Sequence, residues 1–249
     1  MAWNKVKLFV FVVLVCASPK ALAIRGSSGG GGGGLGGGNQ IGFEAGVIQS
    51  EQEHMNTLIS RANTRAGGIS TPAMNQAYEF TAHYGYRFNG SIIAVLFRPS
   101  YFYQQSKGSG GGSSYNYGVN GFTFFPMLRL YPLENDMMKF FMNFGIGYGR
   151  SSGTIEEGAN KIDFAGDAFG TLLGLGAEFC YDAHCLAVEG NYRYLKMERN
   201  IAGDVTGDFS TAGNSLSRAS KNKEVEMDGT DLAVRMSGLQ MLVGYVYHF

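Results

Sequence analysis

Tryptophan, cysteine and charge are all scarce in this chain. Trp3 is the only tryptophan, there are three cysteines, and charged residues make up 16% of 249 positions. The acids and bases balance at 20 each. A nucleic-acid partner calls for a basic surplus, so that class is excluded. A long apolar run is also missing. After residue 23 the longest apolar stretches are broken by Gly, Arg or Asn, which excludes a membrane-spanning helix. If the chain enters a membrane it must do so as a closed barrel, because only helices and barrels satisfy every backbone group in lipid.

Glycine and the aromatics are abundant, with 38 Gly, 18 Phe and 14 Tyr. The N-terminus carries a secretory pattern. Lys5 and Lys7 precede the apolar run Leu8 to Val15, and Ala21-Leu22-Ala23 is a small-x-small cleavage site. Residues 1–23 are expected to be a signal peptide cut between Ala23 and Ile24. Acylation of Cys16 is the competing reading, and Val15 stands where that motif wants a small residue. Losing Lys5, Lys7 and Lys20 lowers the bases to 17 against 20 acids, a net charge near −3. Residues 24–39 are glycine-rich, cannot bury a core, and read as a flexible leader.

From residue 40 to 249 the sequence alternates with a period of two, the mark of β-strands with distinct faces. Residues 77–89 are the clearest case: Tyr78, Phe80, Ala82, Tyr84, Tyr86 and Phe88 lie on one face, and Glu79, His83 and Arg87 on the other. Similar segments cover 40–49, 91–104, 115–131, 139–150, 169–181, 185–196 and a last run from about Leu232. In 115–131 the phase is ambiguous; placing Phe122, Phe124, Pro126, Leu128 and Leu130 outward turns Arg129 inward. These make eight strands, each long enough to cross about 25 Å of hydrocarbon when tilted, which takes about 9–11 residues. The connections alternate. They are short at 89–90, 132–138 and 182–184, and longer at 50–76, 105–114, 151–168 and 197–231. Short turns at one end and long loops at the other characterise outer-membrane barrels. The expected fold is therefore all-β, an eight-stranded antiparallel up-and-down transmembrane β-barrel.

The two faces differ in chemistry. One carries bulky Phe, Tyr and Leu. The other is rich in Gly and carries Glu44, Glu79, Arg87, Arg98, Arg129, Glu178, Glu189 and Arg193. An eight-stranded barrel has an interior just wide enough to fill with side chains, so the small and charged set belongs inside. Buried charges must pair, and these are expected to form a lumen network that plugs the barrel; a gate or proton path is the alternative. Cys180 and Cys185 flank a tight turn in one facial set and are expected to form a disulfide. A metal site with His184 would lack a ligand, and neither a metal nor a cofactor is expected. His54, His83, His184 and His248 stand near no serine dyad, so a catalytic role is not expected either. Ser50 with Glu53 reads as a capping box ahead of a helix bearing Met55, Leu58, Ile59 and Ala62. Residues 197–231 read as solvated loop, the natural place for recognition of another surface.

The signal peptide, the order of turns and loops, the strand end Pro126-Met-Leu-Arg-Leu-Tyr131 and the final Tyr247-His-Phe249 resemble the small eight-stranded outer-membrane β-barrel proteins. That group includes the transmembrane domain of outer-membrane protein A. The resemblance covers residues 40–249. It implies a place in the bacterial outer membrane among lipid that includes lipopolysaccharide. It also implies that Tyr245, Tyr247 and Phe249 are read by the barrel-assembly machinery. It does not specify activity. The expected role is structural or surface-interacting, toward an extracellular protein or cell-surface ligand. A narrow channel for small solutes or ions is the alternative, and an enzyme acting on lipid or peptide comes third.

Overall fold

A computed structural model describes residues 37–65, 69–110, 112–209 and 216–249. The signal peptide, the cleavage site at Ala23 and Ile24, Cys16 and the leader up to residue 36 lie outside the described residues. The strands are β1 (Gly38–Gln49), β2 (Gln76–Arg87), β3 (Ile93–Gly110), β4 (Ser113–Glu134), β5 (Met138–Glu157), β6 (Asn160–Tyr181) and β7 (His184–Tyr194), followed by short β8 (Lys196–Met197), β9 (Ile201–Thr206), β10 (Glu226–Met227), β11 (Thr230–Asp231) and β12 (Val234–Arg235), and then β13 (Gly238–His248). Among the described residues one helix, α1 (Glu53–Arg65), follows β1. No helix among the described residues is long and apolar enough to cross a membrane.

Eight strands form a ring in the order β5-β4-β3-β2-β1-β13-β7-β6, closed by β5 pairing with β6. Every pair is antiparallel, and β1 with β13 joins the two ends of the chain from Gln40↔His248 to Gln49↔Leu239. Closure leaves no edge strand in the wall. β1 begins at Gly38, inside the segment read as leader, because Gly38 and Asn39 already pair with Arg87 and Tyr86.

The expected orientation holds. Tyr84, Phe97 and Phe144 are 45%, 46% and 41% exposed, whereas Glu79 and Arg98 are each 1% exposed. Strand four has the expected phase, with Phe122, Phe124 and Leu128 outward and Arg129 fully buried. Outer rings from adjacent strands touch one another, as Phe97 with Phe124 and Tyr148 with Phe169. A water-soluble protein does not leave so many large side chains bare in one continuous belt.

Three expectations need correction. Residues 105–114 and 151–168 are not loops. β3 and β4, then β5 and β6, continue past the ring as long hairpins that turn near Gly112 and Gly158. Their alternation is hidden because the outer face turns polar above the belt, as in the Glu156–Lys161 pair at 2.9 Å, while Ile155 and Ile162 still pair inward. Residues 197–209 and 216–231 are not a solvated loop. β8 to β12 bury Met197, Ala202, Val225, Met227, Leu232 and Val234 against α1 and the inner faces of the two hairpins. The last strand starts at Gly238, not near Leu232. Leu232 to Met236 belong to this cap, and the chain then enters the wall close against β1, where a Cβ on Gly238 would lie 1.8 Å from the Gln49 carbonyl oxygen.

Candidate functional site

Two structures occupy the barrel axis: a ladder of ion pairs in the lumen and a folded cap over one mouth. In the lumen, strict alternation delivers one or two charged side chains to the axis from each of six strands. At the cap end, Arg193 on β7 pairs with Glu79 on β2 at 2.7 Å and donates from Nε to the Met236 carbonyl at 2.9 Å. In the middle, Arg98 on β3 pairs with Glu189 on β7 and with Glu44 on β1 at 3.2 Å. Arg129 on β4 spans Glu178 on β6 at 2.8 Å and Glu189 at 3.0 Å, and donates from Nε to the Asn143 side chain at 2.8 Å. Its guanidinium also lies 3.7 Å from the centre of the Phe141 ring. Glu189 thus bridges two arginines, and seven of the eight residues expected in the network tie six strands together across the lumen.

Arg87 is the exception. It is buried at the turn end, pairs with Glu134 at 2.6 Å and lies over the Tyr131 ring. It makes no pair with the central group. Glu134 was not foreseeable as its partner, because it sits at the edge of a turn. His248 also reaches inward, with its Nε2 2.8 Å from Glu178 Oε2. His83 faces the lumen against Gly42, where a Cβ would lie 2.2 Å from the ring, and its Nδ1 is 3.9 Å from Glu44 Oε1. Charges this deep gain little net stability from pairing. They penalise any register that leaves one of them single, by several kcal/mol per ion.

The cap is built around α1. Met55, Leu58, Ile59 and Ala62 lie on one helical face and are buried in the cap core. The expected capping box does not form. The Ser50 hydroxyl donates to the Arg235 carbonyl at 2.9 Å, and Gln52 instead precedes the helix, its carbonyl accepting from the Asn56 N–H at 2.7 Å. Gln52 also ties the helix start to the wall and to β12, donating to Gln104 at 3.0 Å and accepting from the Arg235 N–H at 3.0 Å. Further along, Asn56 and Asn63 bind the backbone of the returning segment at Met74 and Thr71. Arg65 at the helix end pairs with Glu157 at 2.8 Å, and the Tyr117 hydroxyl donates to the same carboxylate at 2.9 Å. Arg235 pairs with Glu53 at 2.8 Å, and Arg61 forms a forked pair with Asp228. The hydrogen bonds from Arg61 hold the Asp228 carboxyl below its ordinary range. The His54 Nδ1 accepts the Ala233 N–H at 3.0 Å, and burial pushes this imidazole below its ordinary value.

At the turn end, Cys180 and Cys185 form a disulfide across the β6–β7 turn. His184 does not join them. It turns outward and contacts Tyr245 and Tyr247. Tyr245, Tyr247 and Phe249 all face outward, with Phe249 stacked on Tyr247 and its backbone bonded to Asn39 in both directions.

No family model and no curated relative matches the chain. Among solved structures it is similar to the outer membrane protein OprG from Pseudomonas aeruginosa, with a TM-score of 0.51 and 12% identity over 87% of this chain and 98% of that one. It also matches Ail, the attachment invasion locus protein of Yersinia pestis, in complex with the heparin analogue sucrose octasulfate, with a TM-score of 0.38 and 12% identity over 85% and 99% of the two chains. The outer membrane protein AlkL in lipid bilayers matches with a TM-score of 0.34 and 13% identity over 91% and 97%. The chain has the fold of the small eight-stranded outer-membrane β-barrels.

Proposed function

We propose that this chain is an integral barrel of the bacterial outer membrane whose folded outer cap contacts another surface, without a catalytic role. The observation that carries the reading is the cap itself. Long hairpins, a helix and residues 195–209 and 216–237 share one apolar core, which makes a rigid platform from segments that could otherwise have been floppy loops. Rigid scaffolds that raise polar side chains above a membrane suit recognition, since ordering on binding costs little. The exposed belt favours an outer-membrane site, with lipopolysaccharide around the hairpins and the cap outside. Tyr245 and Tyr247, outward on β13 at the periplasmic end, and Phe249, which follows that strand, suit reading by the barrel-assembly machinery before closure. Each histidine has a structural contact, His54 with Ala233, His184 with Tyr245 and His248 with Glu178, while His83 packs on Gly42. Ion pairs across the lumen and a core above it argue for this reading over a conducting pore.

The test replaces residues 198–231 with a short turn in cells that carry the barrel. Adhesion to host or neighbouring cells, or phage sensitivity, should fall while the barrel still migrates faster unboiled than boiled. Unchanged adhesion and phage sensitivity with a folded, capless barrel would remove the surface role.

A further inference from the structure

Four metal-ligand side chains converge at the turn end of the lumen. Glu178 and Cys180 are two residues apart on β6 and face the same way. Cys185 on β7 is the cross-strand partner of Cys180. On the other side of β7, Val246 pairs with Cys185, and His248 follows two residues later on the same face of β13. One ligand atom from each of Glu178, Cys180, Cys185 and His248 lies within 4.8 Å of all the others.

Two sulfurs, an imidazole nitrogen and a carboxylate oxygen are the donors that a tetrahedral zinc ion takes. Two features separate this cluster from an ordinary hairpin staple. Glu178 divides its oxygens: Oε1 accepts from Arg129 at 2.8 Å and Tyr131 at 3.3 Å, which fixes the carboxylate, while Oε2 meets the His248 Nε2. The burial is also graded. Glu178 and Cys185 are buried, whereas Cys180 and His248 are partly open, so the cluster has an entry from the rim. In the oxidised chain the two sulfurs are bonded to each other and are lost as ligands.

We propose that reduction of Cys180–Cys185 converts this cluster into a site of two thiolates, one imidazole and one carboxylate for a soft divalent cation, with zinc the best fit. A dithiol reductant delivers two electrons and two protons, the S–S bond breaks to two thiols, and the reductant becomes a disulfide. Zinc then displaces the two thiol protons and enters between the His248 Nε2 and Glu178 Oε2, whose direct contact opens. Two thiolates and a carboxylate around a divalent ion leave one negative charge, which Arg129 offsets from the second oxygen of Glu178. Arg129 thereby acts as the outer partner that orients a ligand. The inference stands apart from the surface role of the cap.

The test uses the full chain, folded in detergent micelles and checked by its gel shift, with Co²⁺ as the probe and Zn²⁺ as competitor. After reduction with a water-soluble phosphine, one Co²⁺ per chain should bind with a thiolate-to-metal charge-transfer band and tetrahedral d–d bands, and Zn²⁺ should remove both. The oxidised chain should show neither. Cys185→Ser should abolish the band, and His248→Ala should weaken Co²⁺ at least about 10-fold, the loss seen when even an outer partner is removed. Zinc-edge X-ray absorption on the reduced wild-type chain covers a variant that does not fold; it should count two sulfurs and one imidazole. A folded, reduced wild-type chain with no charge-transfer band would overturn the proposal. So would wild-type affinity in His248→Ala, or binding by the oxidised chain as tight as by the reduced one, since either means adventitious metal.

Discussion

Replacing Arg129 with methionine puts the lumen network to a quantitative test. The guanidinium is fully buried and holds Glu178, Glu189 and Asn143 at once. Removing one member of a buried pair costs about 3–5 kcal/mol, because the other is left charged and unpaired. Here the abandoned groups keep other partners. Glu189 retains Arg98 and the Asn191 amide, and Glu178 retains His248 and Tyr131. That places Arg129→Met near the low end, about 3 kcal/mol. Adding Glu178→Gln removes one of the two stranded carboxylates, and the pair should couple by about 1–3 kcal/mol. Trp3 is the only tryptophan, so the unfolding is best followed in urea by circular dichroism and by the fraction of gel-shifted band. A loss below about 1 kcal/mol would refute the claim that these charges are dry and mutually dependent.

Other outcomes follow from the cap and the lumen. Leu58→Ala empties a fully buried site and should cost the cap about 2–5 kcal/mol. Protease should then cut within 216–231 while the barrel keeps its gel shift; equal resistance to wild type would mean the cap core is not cooperative. His54 is depressed from its ordinary 6.5 by burial, so folding favours its neutral form. Its contribution is complete above pH 6.5 and is lost as pH falls through the lower folded value. The protection factor of the Ala233 amide, corrected for the intrinsic exchange rate, should therefore fall as pH drops below 6.5, and that fall should vanish in His54→Gln. Planar bilayers should show no stable conductance steps with the wild-type chain; regular steps would favour the channel.

The wall was legible in the sequence because a half-lipid, half-lumen strand leaves a clean period of two. Tyr78 to Phe88 displays it without interruption. The inward set was legible for a related reason, since Arg98 and Glu189 have no other place in a narrow barrel. The Cys180–Cys185 pair was readable from the turn between them. Above the belt the signal failed. Ser151 and Gly153 point inward as surely as Arg129, but Thr154 and Glu156 on the opposite face are polar too, so the contrast between faces disappears. Of the cap, the helix was legible from Met55, Leu58, Ile59 and Ala62 at helical spacing; the rest was not, because the core adds Tyr117, Ile162, Val225 and Met236 from four distant segments, none apolar enough to announce burial. The Glu178–His248 contact needed the closure of β13 onto β7, which no local pattern encodes.

The orientation of the wall is tested most directly by a nitroxide at position 144. Phe144→Cys is labelled in a Cys16→Ser background, with Cys180 and Cys185 left as the disulfide, and the protein is placed in lipid vesicles. Collisions with oxygen should be frequent and collisions with a water-soluble nickel complex rare, because Phe144 meets hydrocarbon while its neighbour Asn143 fills the lumen. Frequent collisions with nickel, or an immobilised label shielded from oxygen, would contradict the account.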